Sequence, residues 1–182
     1  LSAALVAAAR DEGPAFEAEI SAALSGESAL TLLVDKRHSL SADYAPTDLK
    51  DLSEIAAGSG GALRVSRGGL LLRSEAAASL LRMAKAARED GVTLVASSAY
   101  RSYAYQEKVY ERVVAQLGQE AADRESARPG RSQHQLGLTV DFGSIDDSFA
   151  QTAAGRWLLA NAGRFGWSLS FPEGYEAVTG YR

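Results

Sequence analysis

The sequence predicts a single-domain α+β fold, and three observations support this prediction. At 182 residues the chain is long enough for one well-packed core and too short for two ordinary domains. Strand and helix patterns follow one another without the regular βαβ spacing of a parallel α/β protein, which favours α+β. Hydrophobic residues (46%) and charged residues (23%) occur in proportions typical of a globular domain.

The N-terminal part of the chain predicts one helix and one strand. Residues 1–28 are interpreted as a helical extension, because residues 14–24 have helical periodicity between Pro14 and Gly26. The apolar run 29–34 that follows has the length and character of a buried strand.

Short elements are predicted next. A helix begins at residues 47–49, and two strands lie around residues 63–65 and 70–72, separated by Gly68 and Gly69. The strongest helix then covers residues 74–88, with an N-cap serine at its start. Its apolar positions recur every three to four residues and predict a buried stripe of Ala77, Leu80, Leu81, Ala84 and Ala87.

The second half of the chain continues the same mixture. The apolar run 92–96 predicts an interior strand, and residues 103–117 predict a second long helix. Residues 128–131 form a turn. A further helix is predicted over 149–165, and a last strand over 167–170. No linker divides the chain into two cores, so residues 1–182 are treated as one domain.

Composition excludes several classes of function. The net charge of −4 leaves no basic surface for nucleic acid, and no apolar run is long enough to span a bilayer. The absence of cysteine excludes disulfides and thiolate metal sites, and fits either a cytosolic protein or a bacterial extracytoplasmic one. Because the sequence does not begin with Met, we expect an extracytoplasmic protein, either after removal of a signal or with a membrane anchor upstream, and the short apolar stretch over residues 1–8 would be the remnant of such a signal.

The segment SQHQLGLTVD, residues 132–141, is the first candidate site. It contains one of only two histidines, His134, and Asp141 follows seven positions later. Residues 137–140 alternate as a strand does, so a turn could bring imidazole and carboxylate together. Imidazole and carboxylate are ligands of catalytic zinc. The alternative is a hydrogen-bonded pair that only braces a turn.

The segment SSAYRSYAYQ, residues 97–106, is the second candidate site. It follows the strand predicted over 92–96 and presents serine, tyrosine, arginine and glutamine side chains together. The planar guanidinium of Arg101 suits a substrate carboxylate or a developing oxyanion. An ordinary salt bridge at the start of a helix is the alternative.

Taken together, these two motifs resemble those of the zinc-dependent D-alanyl-D-alanine carboxypeptidases of the VanY type. That family shares its fold with lysostaphin-type peptidases and hedgehog signalling domains. Residues 32–40 resemble the family's opening strand and turn, and residues 167–181 resemble its closing segment. The resemblance implies a small central antiparallel sheet flanked by helices.

The resemblance also implies a role for each site residue. His134 and Asp141 would be zinc ligands, and Arg101 would hold the terminal carboxylate or the carbonyl oxygen of the substrate. The side chains that would line the substrate pocket are Ser98, Tyr100, Ser102, Gln106 and Ser132. The reaction would be hydrolysis of the last peptide bond of a peptidoglycan stem peptide by a monomeric extracytoplasmic enzyme, with D,D- and L,D-specificity both open.

One part of the family pattern is missing from these 182 residues. The family has a Glu-x-x-His element that supplies the general base and the third zinc ligand, and Glu176 is followed at the third position by Thr179. The other histidine, His38, lies in a polar turn and is expected to be structural. We therefore expect the element to follow residue 182, and this form to bind zinc weakly and hydrolyse slowly or not at all. The alternative is a non-catalytic relative that binds cell-wall peptide.

Overall fold

The computed structural model describes residues 32–144, 147–172 and 174–175. The chain divides into two compact units, Leu1–Leu33 and Val34–Arg182, and every helix and strand given below belongs to the second. The helix predicted over 14–24 lies outside the described residues. Of the strand predicted over 29–34, only residues 32–34 are described, and they form no strand.

The first of two small sheets is an antiparallel pair. Strand β1 (Leu49–Asp51) pairs with β3 (Leu71–Arg73), with Lys50 opposite Leu72. The prediction of a helix beginning at 47–49 was therefore wrong by a few residues. The helix begins after β1, where the Asp51 carboxylate accepts a hydrogen bond from the Ser53 backbone and caps it.

The second sheet has three strands in the order β2-β4-β5. Strand β2 (Leu63–Val65) is parallel to the central strand β4 (Leu94–Ser98), and β5 (Asp141–Phe142) is antiparallel to it. The predicted α+β class, with a small sheet between helices, is confirmed. The three-stranded sheet differs from the expected antiparallel sheet in one strand pair, because β2 and β4 are parallel.

Helices surround these sheets. The α-helices are α1 (Leu52–Ala57), α2 (Ser74–Glu89), α3 (Tyr103–Leu117), α4 (Gln119–Glu125) and α5 (Ala153–Asn161). Three 3₁₀ helices cover Gln133–Leu136, Asp147–Gln151 and Ala162–Phe165. None of the helices in the described ranges combines the length and the apolar character needed to cross a membrane.

Helix α2 forms the centre of the hydrophobic core. Its buried side chains are Ala77, Leu80, Met83, Ala84 and Ala87, so the predicted stripe is confirmed except that Met83 replaces Leu81. The core also contains Leu52 of α1, Leu72 of β3 and Leu94 of β4. Both sheets therefore pack against one helix, which holds them in a fixed relation.

Of two predicted elements near the C-terminal end, the helix is confirmed in part and the strand was wrong. The helix over 149–165 is interrupted at Thr152, whose hydroxyl accepts a hydrogen bond from Gly155 and starts α5 as a new helix. Residues 167–170 form no strand. Instead the Trp167 indole donates to Ser79 of α2 at 3.1 Å and packs against the core, which leaves this segment beside a helix.

The position of Leu81 outside the buried stripe can be tested by truncation. Leu80 is 0% exposed, whereas Leu81 is half-buried. We expect Leu80→Ala to lower the free energy of unfolding by about 2–5 kcal/mol, because it leaves a cavity in the core. Leu81→Ala, the matched control, should cost clearly less. Urea unfolding measures both, and equal losses would contradict the packing described.

Asp48 gives a pH-dependent prediction. Its carboxylate accepts hydrogen bonds from Arg73 Nε (2.9 Å) and Ser74 Oγ (3.0 Å). Burial raises the pKa of this carboxyl, but the bonds from Ser74 and Arg73 more than offset that, and the pKa lies below its ordinary value. A carboxyl with a lowered pKa stabilises the fold above its unfolded pKa of about 4, and this stabilisation is lost as the pH falls through the folded pKa.

We therefore expect wild type to be more stable than Asp48→Asn at neutral pH, with a difference that shrinks below about pH 4. Urea unfolding of both proteins at a series of pH values measures this. A difference that stays constant through acid would show that the charge of Asp48 is not responsible.

Candidate metal and substrate site

The site lies where β4 ends and α3 begins. The Ser102 hydroxyl caps α3 by accepting a hydrogen bond from the Tyr105 backbone at 3.2 Å. The residues just before this cap are tied to two other parts of the fold. The Tyr100 backbone donates to Leu71 of β3, and the Arg101 backbone donates to the His134 carbonyl. Arg101 is thus fixed between a strand and a helix, next to the histidine.

The second segment folds back on itself between its two candidate ligands. Gln133–Leu136 forms a 3₁₀ helix that ends at Gly137, whose φ of 69° lies in the left-handed region. The strand predicted over 137–140 was therefore wrong: the glycine turns the chain, and the strand β5 begins only at Asp141. There Asp141 lies opposite Ser98 of β4.

This return of the chain brings His134 and Asp141 together as predicted. His134 Nε2 lies 3.3 Å from Asp141 Oδ2. Arg101 completes the group, because its Nη2 lies 2.8 Å from His134 Nε2 and 3.2 Å from Asp141 Oδ2. The two candidate ligand atoms and one guanidinium nitrogen therefore form a compact triangle.

The hydrogen bond at His134 Nδ1 determines which nitrogen of the imidazole ring carries the proton. His134 Nδ1 lies 2.7 Å from the Ala99 carbonyl oxygen, which can only accept, so Nδ1 carries the proton. The Nε2 lone pair then faces Arg101, which donates to it. A ring held in one orientation with its proton on Nδ1 is the form of histidine that binds a metal through Nε2, and here Arg101 Nη2 occupies that position.

Asp141 supplies negative charge beside this ring. Burial raises the pKa of its carboxyl, but the charge of Arg101 and the hydrogen bond that it donates to Oδ2 oppose burial, and the pKa lies below its ordinary value. The carboxylate is therefore ionised at neutral pH. Burial lowers the pKa of Arg101, with Asp141 opposing that effect. Its guanidinium still carries its charge at neutral pH.

The donor pair fits zinc in chemistry and in spacing. Two ligand atoms on a tetrahedral zinc ion, each about 2.0–2.1 Å from the metal, are about 3.3 Å apart, and His134 Nε2 and Asp141 Oδ2 have that separation. Within residues 32–144, 147–172 and 174–175, no third side chain of histidine, aspartate or glutamate joins this pair to complete a metal site. His38 is instead exposed and pairs with Asp35 at 2.9 Å.

Two of the predicted pocket residues hold Arg101. Its Nε donates to Ser98 Oγ and its Nη1 donates to Gln106 Oε1, both at 3.2 Å. Gln106 is 1% exposed, and its amide nitrogen donates to the Ala127 carbonyl at 2.7 Å. The three guanidinium nitrogens thus have three different sets of partners, and the fork is held in one orientation.

The side chains of the other three predicted pocket residues lie nearby and make no hydrogen bond to Arg101, His134 or Asp141 in the described part of the chain. The Ser102 hydroxyl caps α3, and Ser132 is buried just before the 3₁₀ helix that carries His134. The Tyr100 side chain is half-buried, and burial raises the pKa of its hydroxyl. Their roles toward substrate remain predictions.

Gln135 has a role that sequence reasoning missed. It is 0% exposed, and its amide nitrogen donates to the Ser41 and Tyr44 carbonyls at 3.0 and 3.1 Å. These bonds anchor the 3₁₀ helix to the 41–44 turn, directly beside His134. Its place in the SQHQ motif was the only available signal, because a buried polar side chain cannot be recognised without its partners.

Comparison with known proteins agrees with the geometry. The sequence model of the VanY family, described as D-alanyl-D-alanine carboxypeptidase, matches residues 69–182, which include both motifs. The chain is also 32% identical over 155 residues to the protein named "Putative carboxypeptidase YodJ" of Bacillus subtilis (strain 168). That match covers 82% of this chain and 55% of YodJ, so the chain spans about half the length of this relative.

Solved structures give the same result. One similar structure is that of the LdcB LD-carboxypeptidase, which is described as revealing the basis of peptidoglycan recognition. It has a TM-score of 0.73 and 31% sequence identity to this chain, and the match covers 84% of this chain and 72% of LdcB. A glutamate-to-alanine mutant of the vancomycin-resistance D,D-pentapeptidase VanY in complex with Zn(II) has a TM-score of 0.64 and 28% identity, over 82% and 81%. Since the family match covers more than half of the chain, this protein belongs to the VanY D-alanyl-D-alanine carboxypeptidase family.

Proposed function

We propose that this protein is a zinc-dependent carboxypeptidase that removes the C-terminal D-alanine from stem peptides of peptidoglycan, of either the D,D or the L,D type. The observation that carries the proposal is the triangle of Arg101, His134 and Asp141. Family membership supports it, and so do related structures of both specificities, one of them with Zn(II). Because its substrate lies in the cell wall, we place the protein outside the cytoplasm.

His134 Nε2 and Asp141 Oδ2 would hold the metal. Zinc, when bound, supplies polarisation of a carbonyl group and activation of water at neutral pH. The Ala99 carbonyl keeps the His134 ring in the correct tautomer and orientation. Catalytic zinc has three protein ligands, and the third, like the general base, would come from residues other than the described ones.

Arg101 explains why the enzyme would act at a chain end. Its guanidinium is a half-buried, charged fork of the kind that binds a carboxylate. The C-terminal carboxylate of a peptide is one residue, about 3.8 Å along the chain, from the last peptide bond. A carboxylate-binding group in contact with the metal ligands therefore selects the terminal bond.

A non-catalytic peptide-binding relative is the second candidate. The observation that favours it is that the described residues provide two ligands and no complete metal cluster. In that case the Arg101 fork, held by Ser98 and Gln106, would bind the peptide terminus without cleavage.

The zinc assignment can be tested with the two histidines of the chain. We expect His134→Ala to lower zinc affinity about tenfold or more, because it removes a ligand. His38→Ala is the matched control and should leave zinc affinity unchanged, since His38 lies in a separate exposed pair. Competition with a chromophoric chelator measures both affinities, and melting temperatures check that both variants fold. Equal zinc affinity in wild type and His134→Ala would refute the site.

The carboxypeptidase assignment can be tested with synthetic peptides that end in D-Ala-D-Ala or in a single D-alanine. We expect zinc-dependent release of D-alanine from at least one of them, and none from the same peptides with an amidated C-terminus. Arg101→Lys should lower kcat/KM about 100-fold or more, because lysine cannot form the planar fork. Arg112→Lys, exposed on α3, is the control.

Three results would separate the candidates. Cleavage of amidated and free peptides at equal rates would contradict the role of Arg101. Tight binding of free peptides without cleavage, in the zinc-loaded protein, would support the binding relative. If the zinc-loaded protein neither binds nor cleaves the free peptides, both candidates are refuted.

A further inference from the structure

The loop between β2 and β3, residues 66–70, runs beside the candidate site. It is attached at both ends of the stretch that leads from β4 to α3. The Ser66 backbone donates to the Ala96 carbonyl at 2.9 Å, and the Tyr100 backbone donates to the Leu71 carbonyl at 2.8 Å. The loop therefore lies along the last residues of β4. Neither the two motifs nor the proposed mechanism assigns a role to it.

Arg67 lies on this loop, next to the end of β4. The parallel pairing of β2 with β4 sets Val65 opposite Ala96, and the loop's backbone bond to Ala96 extends this pairing by one residue. Arg67 comes directly after, beside the stretch of β4 that ends at Ser98. Because β5 pairs with β4 from its other side, Arg67 and Asp141 flank the end of this strand.

The Arg67 side chain is exposed to solvent and unengaged. It forms no hydrogen bond or ion pair with any residue in the described part of the chain. A Cβ atom at Gly68 or at Gly69 would meet nothing within 4 Å, so the loop is open on the side of these glycines. A peptide can therefore reach Arg67 directly from solution.

Arg67 and Arg101 are close enough for their charges to repel. Burial lowers the pKa of Arg101, Asp141 opposes this effect, and the charge of Arg67 adds to it. Exposed charges act on one another in this way over about a Debye length, roughly 10 Å at 0.1 M salt. Among the described residues, Asp141 is the one carboxylate that pairs with either guanidinium. A second anion between the two arginines would relieve their repulsion.

Arg101 alone has too few free donors to satisfy a carboxylate. It donates four hydrogen bonds, to Ser98, Gln106, His134 and Asp141. A guanidinium has five N–H donors, so one is left for a ligand, or two if a metal takes His134 Nε2. A carboxylate has about four lone-pair sites. The unengaged N–H groups of Arg67 can supply the remaining hydrogen bonds.

We propose that Arg67 is a second substrate-binding residue, which together with Arg101 holds the C-terminal carboxylate of the peptide. This inference rests on the proposed function, because it takes the scissile bond to lie at the metal and the C-terminus at Arg101. The strand order β5-β4-β2 places Asp141, Arg101 and Arg67 in sequence across the sheet edge. This sequence follows the direction from the metal to the end of the peptide, so the group that meets Arg67 is the terminal carboxylate.

The test measures binding without turnover, by calorimetry on the zinc-loaded full chain. It uses two peptide analogues whose last peptide bond is replaced by a ketomethylene group, which cannot be hydrolysed. One ends in a free carboxylate and the other in an amide. We expect wild type to prefer the free carboxylate, with a preference that falls as salt is added. Arg67→Gln should weaken binding of the free carboxylate about fivefold to tenfold and leave binding of the amide unchanged.

Arg64→Gln is the matched control. Arg64 is exposed on β2, about 10 Å before Arg67 at 3.3 Å per residue, and its loss changes the net charge equally. Arg64→Gln should leave both affinities unchanged. Arg67→Lys keeps the charge and should retain part of the preference, and melting temperatures check the fold of each variant. A loss with Arg64→Gln equal to that with Arg67→Gln would show a general effect of charge and overturn the proposal.

Other outcomes would also overturn this role of Arg67. These are an equal effect of Arg67→Gln on both analogues, no effect on either, and equal affinity or no binding of the analogues in wild type. A third analogue keeps the free C-terminus but has carboxamides in place of upstream carboxylates. If Arg67→Gln does not weaken its binding, Arg67 recognises an upstream acidic group and the assignment to the C-terminus is wrong.

The proposed function is judged by a separate measurement. Failure of the zinc-loaded protein to release D-alanine from cleavable peptides would count against the proposed activity. The carboxylate preference of the uncleavable analogues, and its dependence on Arg67, would still decide the role of Arg67. Release of D-alanine with an unchanged preference in Arg67→Gln would overturn the role of Arg67 and leave the activity standing.

Discussion

The pairing of β4 with β5 is the constraint on which the site depends. β4 is the central strand of its sheet, and the register that sets Ser98 opposite Asp141 also places the end of β4 beside the loop that carries His134. Two backbone bonds fix this arrangement: Arg101 donates to the His134 carbonyl, and Gly143 donates to Val95. A shift of one residue would turn Asp141 to the other face of the sheet and remove it from the histidine.

The charges of the site are stable only as a group. Arg101 and Asp141 have side chains that are 21% and 35% exposed, and charges with so little access to water are costly unless they are paired. The structure satisfies Arg101 with Ser98, Gln106, His134 and Asp141, so most of its donors have partners. The same arrangement makes the fork rigid, and rigidity in a charged recognition group reduces the entropy lost when a carboxylate binds.

The sequence was a good guide where local patterns decide the outcome. Helix α3 has the predicted bounds, 103–117, and the motif residues that surround Arg101 converge as expected. Prediction failed where distant contacts decide. The turn at Gly137 packs against residues of other elements, and the neighbours of α2 decide that Met83 rather than Leu81 is buried. No local window contains that information.

Gly137 has a consequence for how this domain can change. A Cβ atom at this position would lie 3.0–3.2 Å from side-chain atoms of Arg73, Leu49 and Pro46. The carbonyl of Gly137 also accepts a hydrogen bond from the Arg73 backbone. One residue therefore joins the β1–β3 ribbon to the loop between the two candidate metal ligands. Loop grafts or insertions at 133–140 would have to preserve both the glycine and the ribbon beneath it.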